Sequence, residues 1–223
     1  MSACRNSPIA PSLGLPRWLA PVFRSVYSLQ FAAAAFLRWL YRVFYAGPLF
    51  RGRCDAVGTG FDLMKIPDAT GQGHVTLGDN VRFLGHVGVG SGRILDRPEL
   101  FIGDRVQIGH DLVVTLNGHI EIANDVRIGR GCRFMDTDSH PREAIARAAN
   151  EPPSPDEIKP VTIGAHSTIG RRSAILKGVT IGEGATVGPN SVVVASIPPY
   201  SVVAGNPARI LSRGAPPPAA EQR

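Results

Sequence analysis

One histidine, His140, lies among side chains that could take part in proton transfer. Asp136 and Asp138 precede it, and Pro141 follows it directly. Histidine is the side chain whose ordinary pKa lies nearest neutrality, so it can remove a proton from a hydroxyl, and a carboxylate or carbonyl group can fix its tautomer. Each aspartate could orient the imidazole, line a bound acceptor or lie in a solvated turn. The pattern predicts a general base at His140, with Asp138 as a catalytic partner and Asp136 as an acceptor contact.

The segment that begins at His140 is predicted to be a projecting loop. Residues 140–162 are polar and rich in proline, with the sequence EPPSP at 151–155. Regular six-residue units stand on both sides of this insertion, so it must leave the framework at a corner. The sequence therefore places an imidazole at the root of a loop that projects from a repeat.

The framework itself is a repeat with a period of six. From residue 163 the chain reads IGAHST, IGRRSA, ILKGVT, IGEGAT, VGPNSV and VVASIP, and earlier units bring the number of hexads to fifteen. The first position is apolar in all fifteen hexads, and the second is glycine in nine. This period fits neither an amphipathic helix nor an alternating strand, but it fits a short strand and tight turn repeated in stacked coils. An all-β sandwich is the alternative, although its strands do not keep six-residue register over 36 residues.

Residues from about 66 to 210 resemble the hexapeptide-repeat acyltransferases. The resemblance rests on the hexads and on the closing sequences IPPYS at 197–201 and AGNPAR at 204–209. It implies an all-β fold, a left-handed parallel β-helix solenoid with three hexads per turn, which follows a short N-terminal helical segment here. In the sugar O-acetyltransferases of this family, a histidine at the start of the projecting loop, often followed by proline, is the catalytic base. His140-Pro141 matches that place in the pattern.

The same resemblance implies a homotrimer in which acetyl-CoA lies along an outer groove of the later coils, between two subunits. The candidate contacts to acetyl-CoA are Gly170, Lys177, Gly188, Pro189 and Arg209. The chain departs from the family where tryptophan is frequent, at Thr168, and where Thr-Lys-Asp is frequent, at 194–196. Arg171, Arg172 or Arg209 would then have to replace the usual lysine at the phosphates.

His110 and Asp111 are candidate acceptor contacts, because the family often has a polar residue about one and a half coils before the catalytic histidine. The other histidines are expected at outward-facing corners. Trimeric β-helix carbonic anhydrases bind zinc through histidines that include an HxxxxH pair, and this chain has no such pair, so no metal site is expected. Three cysteines without a CxxC pair predict no disulfide framework, and reduced thiols fit a cytoplasmic protein.

The basic charge is concentrated at the front of the chain. Residues 1–54 contain seven arginines and no acidic residue, whereas the other 169 residues carry 17 basic and 18 acidic side chains. This distribution excludes a nucleic-acid groove spread over the whole protein. The early prolines argue against a secretory signal.

Residues 21–46 are predicted to form a helix that ends before Gly47-Pro48. Arg24, Arg38 and Arg42 fall on one narrow stripe, and apolar or aromatic side chains occupy most of the remaining surface. Such a helix could cover the first coil, pack in the trimer, or lie peripherally in a membrane interface with its cations towards anionic head groups.

These observations predict an N-terminal helical segment at 1–60, a β-helix acyltransferase domain at 61–213 with its loop at 140–162, and a disordered tail at 214–223. The predicted function is the transfer of acetyl from acetyl-CoA to a sugar hydroxyl in exopolysaccharide, capsule or lipopolysaccharide biosynthesis. A cytoplasmic enzyme on the inner face of the membrane would suit a lipid-linked saccharide acceptor. The alternatives are a serine-type or other small-molecule acetyltransferase and a non-catalytic β-helix subunit.

Overall fold

A computed structural model describes residues 19–92 and 94–215. Helix α1 covers Ala20–Tyr41, a π-helical turn covers Arg42–Ala46, and helix α2 covers Gly47–Arg51. The prediction that the helical segment ends before Gly47-Pro48 is wrong, because the π-helical turn leads directly into α2 and Pro48 lies in the first turn of α2. The chain divides into two compact units after residue 41, and α1 belongs to the first of them.

The body is a parallel β-helix with three sheets, called A, B and C here. Each coil contributes one strand to each sheet in that order. The first three coils consist of β1 (Ala56–Val57), β2 (Asp62–Leu63), β3 (Asp68–Thr70), β4 (His74–Leu77), β5 (Arg82–Phe83), β6 (Val87–Ser91), β7 (Glu99–Ile102), β8 (Gln107–Ile108) and β9 (Leu112–Leu116). The fourth coil consists of β10 (His119–Ile122), β11 (Arg127–Ile128) and β12 (Arg133–Met135), and the projecting loop after it contains α3 (Ala144–Ala148) and a 3₁₀ turn (Pro155–Glu157). The remaining strands are β13 (Val161–Ile163), β14 (Thr168–Ile169), β15 (Ala174–Ile175), β16 (Thr180–Ile181), β17 (Thr186–Val187), β18 (Val192–Val193), β19 (Ser201–Gly205) and β20 (Ala208–Arg213).

Each strand pairs with the equivalent strand one coil away. Sheets A and C have six strands each and sheet B has eight, and all pairs are parallel except that of β19 with β20. Six-residue periodicity produces this arrangement, because one hexad supplies one side of the triangular coil and one corner. The prediction of a left-handed parallel β-helix is confirmed.

The core is one continuous apolar column inside the three sheets. The first residue of all fifteen hexads is at most 4% exposed, so the most regular feature of the sequence marks the inside. Buried serines at the fifth position satisfy their hydroxyls locally: Ser167 donates to the carbonyl oxygen of Gly164 at 2.6 Å, and Ser173 to that of Gly188 at 3.0 Å. Each buried hydroxyl therefore keeps a hydrogen bond in the column.

The β-helix begins earlier than predicted. β1 starts at Ala56, so the predicted boundary at residue 60 falls inside the first coil. Helix α2 closes this end of the column: Phe50 is 3% exposed, and its ring centroid lies 5.8 Å from that of Phe61 and 5.9 Å from that of Phe83. The cap expected of the helical segment is thus provided by α2.

The three corners of the coil differ. The A–B corner (103–106 in the third coil) and the B–C corner (129–132 in the fourth) are short turns that stack from coil to coil. At the A–B corner, Arg105 and Asp125 adopt left-handed conformations with φ of 55° and 61°. The C–A corner instead admits extra residues, at 92–98, 117–118 and 136–160. Insertions in the repeat therefore accumulate along one edge of the β-helix.

Candidate functional site

His140 lies at the C–A corner, where the chain leaves β12 and enters the projecting loop. Its side chain is exposed, while Pro141 behind it is buried. Ser139, immediately before it, adopts a left-handed conformation with φ of 65°, and its N–H donates to the hydroxyl of Thr137 at 3.2 Å. This turn directs the chain out of the coil at the imidazole.

Among the described residues, a backbone carbonyl and no carboxylate contacts the imidazole. Nδ1 of His140 lies 3.3 Å from the carbonyl oxygen of Pro141. Because a carbonyl oxygen can only accept, this contact requires a hydrogen on Nδ1, and in the neutral imidazole that tautomer has its lone pair on Nε2. The guanidinium of Arg147 donates to the same oxygen at 3.1 Å. The geometry leaves Nε2 free to accept a proton from a bound hydroxyl.

Asp138 does not orient the imidazole. Its carboxylate accepts from the ammonium of Lys177 at 2.5 Å, and the two side chains are 45% and 11% exposed. Lys177 lies at the C–A corner of the next coil, so this ion pair ties that coil to the loop root. The structure therefore brings Asp138 together with Lys177, one of the predicted acetyl-CoA contacts.

Asp136 belongs to the scaffold of the corner. It is fully buried, and its carboxylate accepts from the backbone N–H of Asn117 at 2.9 Å and from that of Gly118 at 2.6 Å. Burial raises the pKa of the Asp136 carboxyl above its usual range, although these amide hydrogen bonds lower it. A carboxylate engaged in this way is turned away from an acceptor, so its position does not support the acceptor contact predicted for it.

The projecting loop is closed at its base. The N–H of Lys159 donates to the carbonyl oxygen of Asp136 at 2.9 Å, which joins the exit of the loop to its entrance. The carboxylate of Glu157 accepts from the N–H of Arg142 at 3.0 Å and from that of Ser154 at 3.3 Å. These bonds hold the segment around His140 without help from a regular sheet.

A cavity of about 480 Å³ with both polar and apolar walls lies between the loop and the C–A corner of the earlier coils. Ser139, next to His140, is one of its walls. The others are Gly90, Ser91, Gly92, Ile94, Thr115, Asn117, Asn150, Glu151, Pro152 and Pro153. Hydroxyl, amide and carboxylate groups converge in this cavity, which suits a ligand with several hydroxyls.

These wall residues are the functional candidates that the sequence reasoning missed. Thr115 and Asn117 were counted within an ordinary hexad, VTLNGH at 114–119. The next hexad begins at Ile122, two residues later than strict register requires, so the break at 117–118 was available as a signal. Asn150 and Glu151 lie deep in the insertion, where no periodicity could indicate which side chains turn inward.

The predicted acetyl-CoA contacts fall in three places. Gly170, Gly188 and Pro189 lie at the B–C corner, Lys177 lies at the C–A corner, and Arg209 lies in β20. Coil stacking already explains the glycine at 170, since a Cβ there would lie 2.5 Å from the backbone nitrogen of Pro189. Within one chain the five residues do not form a single site.

His110 and Asp111 also lie at the B–C corner. Strand β9, with five residues and a length of about 16 Å, separates them from the C–A corner. The N–H of Asp111 donates to the carbonyl oxygen of His86 at 2.7 Å. A small acceptor at His140 cannot contact this pair in the same chain.

Across residues 19–92 and 94–215, no group of three or more His, Cys, Asp or Glu side chains is placed to hold a metal ion. Four of the six histidines instead lie within 4.0 Å of a carboxylate: His74, His86, His119 and His166. His140 is not one of them, and this sets its environment apart from theirs.

Comparison with known proteins agrees with the repeat and the fold. Residues 160–195 match the family model of the bacterial transferase hexapeptide (six repeats). The Mycobacterium tuberculosis protein "Probable acetyltransferase Rv3034c" is 32% identical over 115 residues, which cover 50% of this chain and 36% of that protein. The 2,3,4,5-tetrahydropyridine-2,6-dicarboxylate N-acetyltransferase of Halalkalibacterium halodurans is 35% identical over 130 residues, which cover 51% of this chain and 50% of that protein. The chain thus spans about a third to a half of the length of these relatives.

Two solved structures share the architecture. A mutant of AntD, an N-acyltransferase from Bacillus cereus in complex with dTDP and coenzyme A, has a TM-score of 0.59 at 20% identity and covers 77% of this chain and 91% of its own. NeuO, a polySia-specific acetyltransferase, has a TM-score of 0.51 at 24% identity and covers 75% of this chain and 90% of its own. At these identities the likeness establishes the fold.

Proposed function

We propose that this chain, which has the repeat and fold of the hexapeptide-repeat acyltransferases, transfers an acetyl group from acetyl-CoA to a hydroxyl of a saccharide. The observation that carries the proposal is the open Nε2 of His140 at the root of the loop, beside a cavity whose walls include polar side chains. The chain would act as a homotrimer, the assembly that the family resemblance implies.

The proposed reaction needs one base and no metal. Nε2 of His140 takes the proton of the acceptor hydroxyl as the oxygen attacks the carbonyl carbon of the thioester. The tetrahedral intermediate then collapses, the bond between carbon and sulfur breaks, and the imidazolium returns the proton to the sulfur of coenzyme A. Hydrogen-bonding Nδ1 to the Pro141 carbonyl keeps the ring in the required tautomer throughout.

A saccharide acceptor is supported by the walls of the cavity. Thr115, Asn117 and Ser139 offer side chains that donate and accept hydrogen bonds, which is what a ring of hydroxyl groups requires. The hydroxyl of Ser91 is already used, since it donates to the carbonyl oxygen of Thr70 and accepts from the N–H of Gly73. An extended polysaccharide or a lipid-linked saccharide could present one residue to this cavity and leave the rest of the polymer outside. We therefore propose surface polysaccharide assembly as the setting of the reaction.

An amino sugar is the second candidate acceptor. Glu151 provides a carboxylate in the cavity that could hold an ammonium group, and the similar fold of AntD belongs to an N-acyltransferase solved with dTDP and coenzyme A. The two acceptors differ in the bond formed, an ester or an amide, so alkaline hydrolysis of the product distinguishes them.

The test is release of free coenzyme A from acetyl-CoA with a panel of neutral, acidic and amino sugars. We expect His140→Ala to lower kcat by about 10²- to 10⁴-fold, the usual contribution of a general base, without a change in melting temperature. His166→Ala, at an exposed A–B corner, is the matched control and should keep full activity. Full activity in His140→Ala would disprove the assignment, and binding of glycans without release of coenzyme A would favour a non-catalytic subunit.

A further inference from the structure

Helix α1 has a broad apolar surface that the described chain leaves uncovered. None of its residues is buried. The large apolar side chains of this surface are all at least 50% exposed: Val22, Phe23, Val26, Tyr27, Leu29, Phe36 and Leu37. At 100° per residue they occupy about 180° of the helix circumference, which is half of the cylinder.

The charges of α1 lie beside this surface and have one sign. Arg24 and Arg38 are its charged residues, and they fall close together on the helix wheel. Arg42, which the sequence pattern adds to this stripe, lies beyond α1 and pairs with Asp62 of the β-helix. No acidic residue occurs before Asp55. The charge of α1 is therefore purely cationic, and Phe31, which is 60% exposed, lies between the two arginines on the helix wheel.

We infer that α1 is a docking surface for an anionic lipid bilayer. Helices with one apolar side and a cationic side lie in the plane of the interface, with the apolar side among the acyl chains and arginines reaching the head groups. With 22 residues the helix would lie along about 33 Å of membrane. No helix of the described residues is long and apolar enough to cross a membrane, so attachment would be peripheral.

Charge favours a bilayer over a second copy of the chain as the partner. Paired helices are commonly selected by salt bridges between acidic and basic flanking positions. Two copies of α1 carry only arginines, so they repel each other and cannot form such bridges. An anionic surface attracts both arginines at once and also covers the full apolar half of the cylinder.

The binding site for lipid and the site at His140 lie in different compact units. The inference therefore does not depend on the proposed chemistry, although membrane attachment would place a lipid-linked acceptor near the enzyme. A failure of one can be told from a failure of the other, because vesicle binding needs no acyl transfer and transfer to a soluble sugar needs no vesicle.

The experiment is co-flotation of the full chain with vesicles of phosphatidylcholine alone or mixed equally with phosphatidylglycerol. We expect flotation with the anionic vesicles only, and weaker flotation at high salt. Arg24→Gln/Arg38→Gln should lower the affinity by about 30-fold, about five-fold for each arginine. Leu29→Ser/Phe36→Ser/Leu37→Ser should abolish flotation, while circular dichroism and the rate of acetyl transfer to a soluble sugar stay unchanged.

Matched controls lie on the β-helix. Arg127→Gln/Arg130→Gln removes two exposed arginines, and Ile145→Ser removes a side chain that is 81% exposed on the projecting loop. Both control variants should float like the wild type. The inference is overturned if the wild type does not float, if the controls lose as much affinity as the α1 variants, or if the serine variant still floats but changes its oligomeric state in light scattering. The last result would identify a second copy as the partner.

Discussion

The B–C and C–A corners of the same coils differ in how closely their turns pack and in whether they accommodate insertions. At the B–C corner each turn lies directly on the next: a Cβ at Gly109 would lie 2.7 Å from the nitrogen of Arg130, and one at Gly129 would lie 2.5 Å from that of Arg171. At the C–A corner the chain makes room for 92–98, 117–118 and 136–160. One edge of the β-helix is packed backbone to backbone, and the other admits loops.

This difference shows how a rigid repeat acquires a site. Stacking at the B–C corner fixes the spacing of the coils. At the C–A corner, contacts between coils at this spacing position the projecting loop, the cavity and His140. Lys177 reaches Asp138 because their coils are adjacent, and Asp136 reaches the backbone at Gly118 for the same reason. The site depends on contacts between coils, whereas its variable parts belong to the loop.

The largest effect should come from adding one methyl group to the stacked corner. Gly129→Ala places a Cβ against backbone atoms of Arg171, which cannot turn aside, so we expect a loss of about 3 kcal/mol in the free energy of unfolding. Urea denaturation measures the loss.

Gly88→Ala, in β6, is the control for this comparison. The atom nearest to a Cβ at Gly88 would be in the ring of His86, at an ordinary contact distance of 3.8 Å. The midpoint of urea denaturation should therefore hardly change. Equal losses of unfolding free energy in the two variants would contradict the conclusion that close backbone stacking requires glycine at the B–C corner.

The next effect concerns the buried carboxylate at the open corner. Asp136→Asn replaces one of the two acceptor oxygens by an NH₂ group, which would face a backbone N–H in a buried place, so we expect a loss of about 2 kcal/mol and faster proteolysis within 140–162. The matched variant Asp138→Asn removes a carboxylate that is 45% exposed, so it should lose less of the free energy of unfolding.

The pH dependence of this loss follows from the raised pKa of Asp136. A carboxyl whose pKa is higher in the folded chain than in the unfolded chain binds more protons when folded, so its contribution to stability falls as pH rises from about 4. The advantage of the wild type over Asp136→Asn should therefore be larger at pH 4 than at pH 7. An advantage that grows with pH would show that the amide hydrogen bonds outweigh burial.

The inward position of Asp136 could have been predicted, whereas the partner of Asp138 could not. Phe134 is the first residue of a hexad and points inward, so alternation along β12 turns Met135 out and Asp136 in. Lys177 is 39 residues from Asp138, and the length of the insertion hides which coil lies next to the loop root. Local periodicity predicts orientation, but contacts between coils need the register of the whole solenoid.

The same limit applies at the start of the fold. Val57, Leu63 and Ala69 are six residues apart and continue the hexads into the first coil. Two of their three units, those at Leu63 and Ala69, have methionine and threonine in place of glycine at the second position, so the sequence predicts the repeat only from Leu77 onward. The composition of the turn residues, rather than the apolar period, concealed this coil.

A smaller effect is expected from the ion pair between coils. Asp138→Asn leaves the ammonium of Lys177, which is 11% exposed, without its carboxylate and loosens the loop root at His140. If the acyl transfer proposed above is correct, kcat should fall about three- to tenfold while KM for the acceptor changes little, since the cavity walls remain. Asp138→Glu, which can keep the pair, should recover most of the activity. A rise in KM alone would assign Asp138 to acceptor binding instead of positioning.

The smallest effect should come from an exposed ion pair at the A–B corner, whose turns also stack from coil to coil. Arg105 donates to both carboxylate oxygens of Asp125 at 2.7 Å, and this hydrogen bonding lowers the pKa of Asp125. A lowered pKa adds stability that is present above the ordinary value near 4 and disappears as pH falls through the folded value. Arg105→Gln should therefore lower Tm at pH 7 by no more than about 3 °C, because exposed pairs contribute little, and the difference from wild type should vanish below about pH 3. Arg130→Gln, an exposed arginine with no side-chain partner in the described chain, should leave Tm unchanged at both pH values. A larger drop in Tm for Arg105→Gln than for Gly129→Ala would contradict the expected ranking of the two effects. Charge pairing, and not backbone stacking, would then contribute more to holding the coils together.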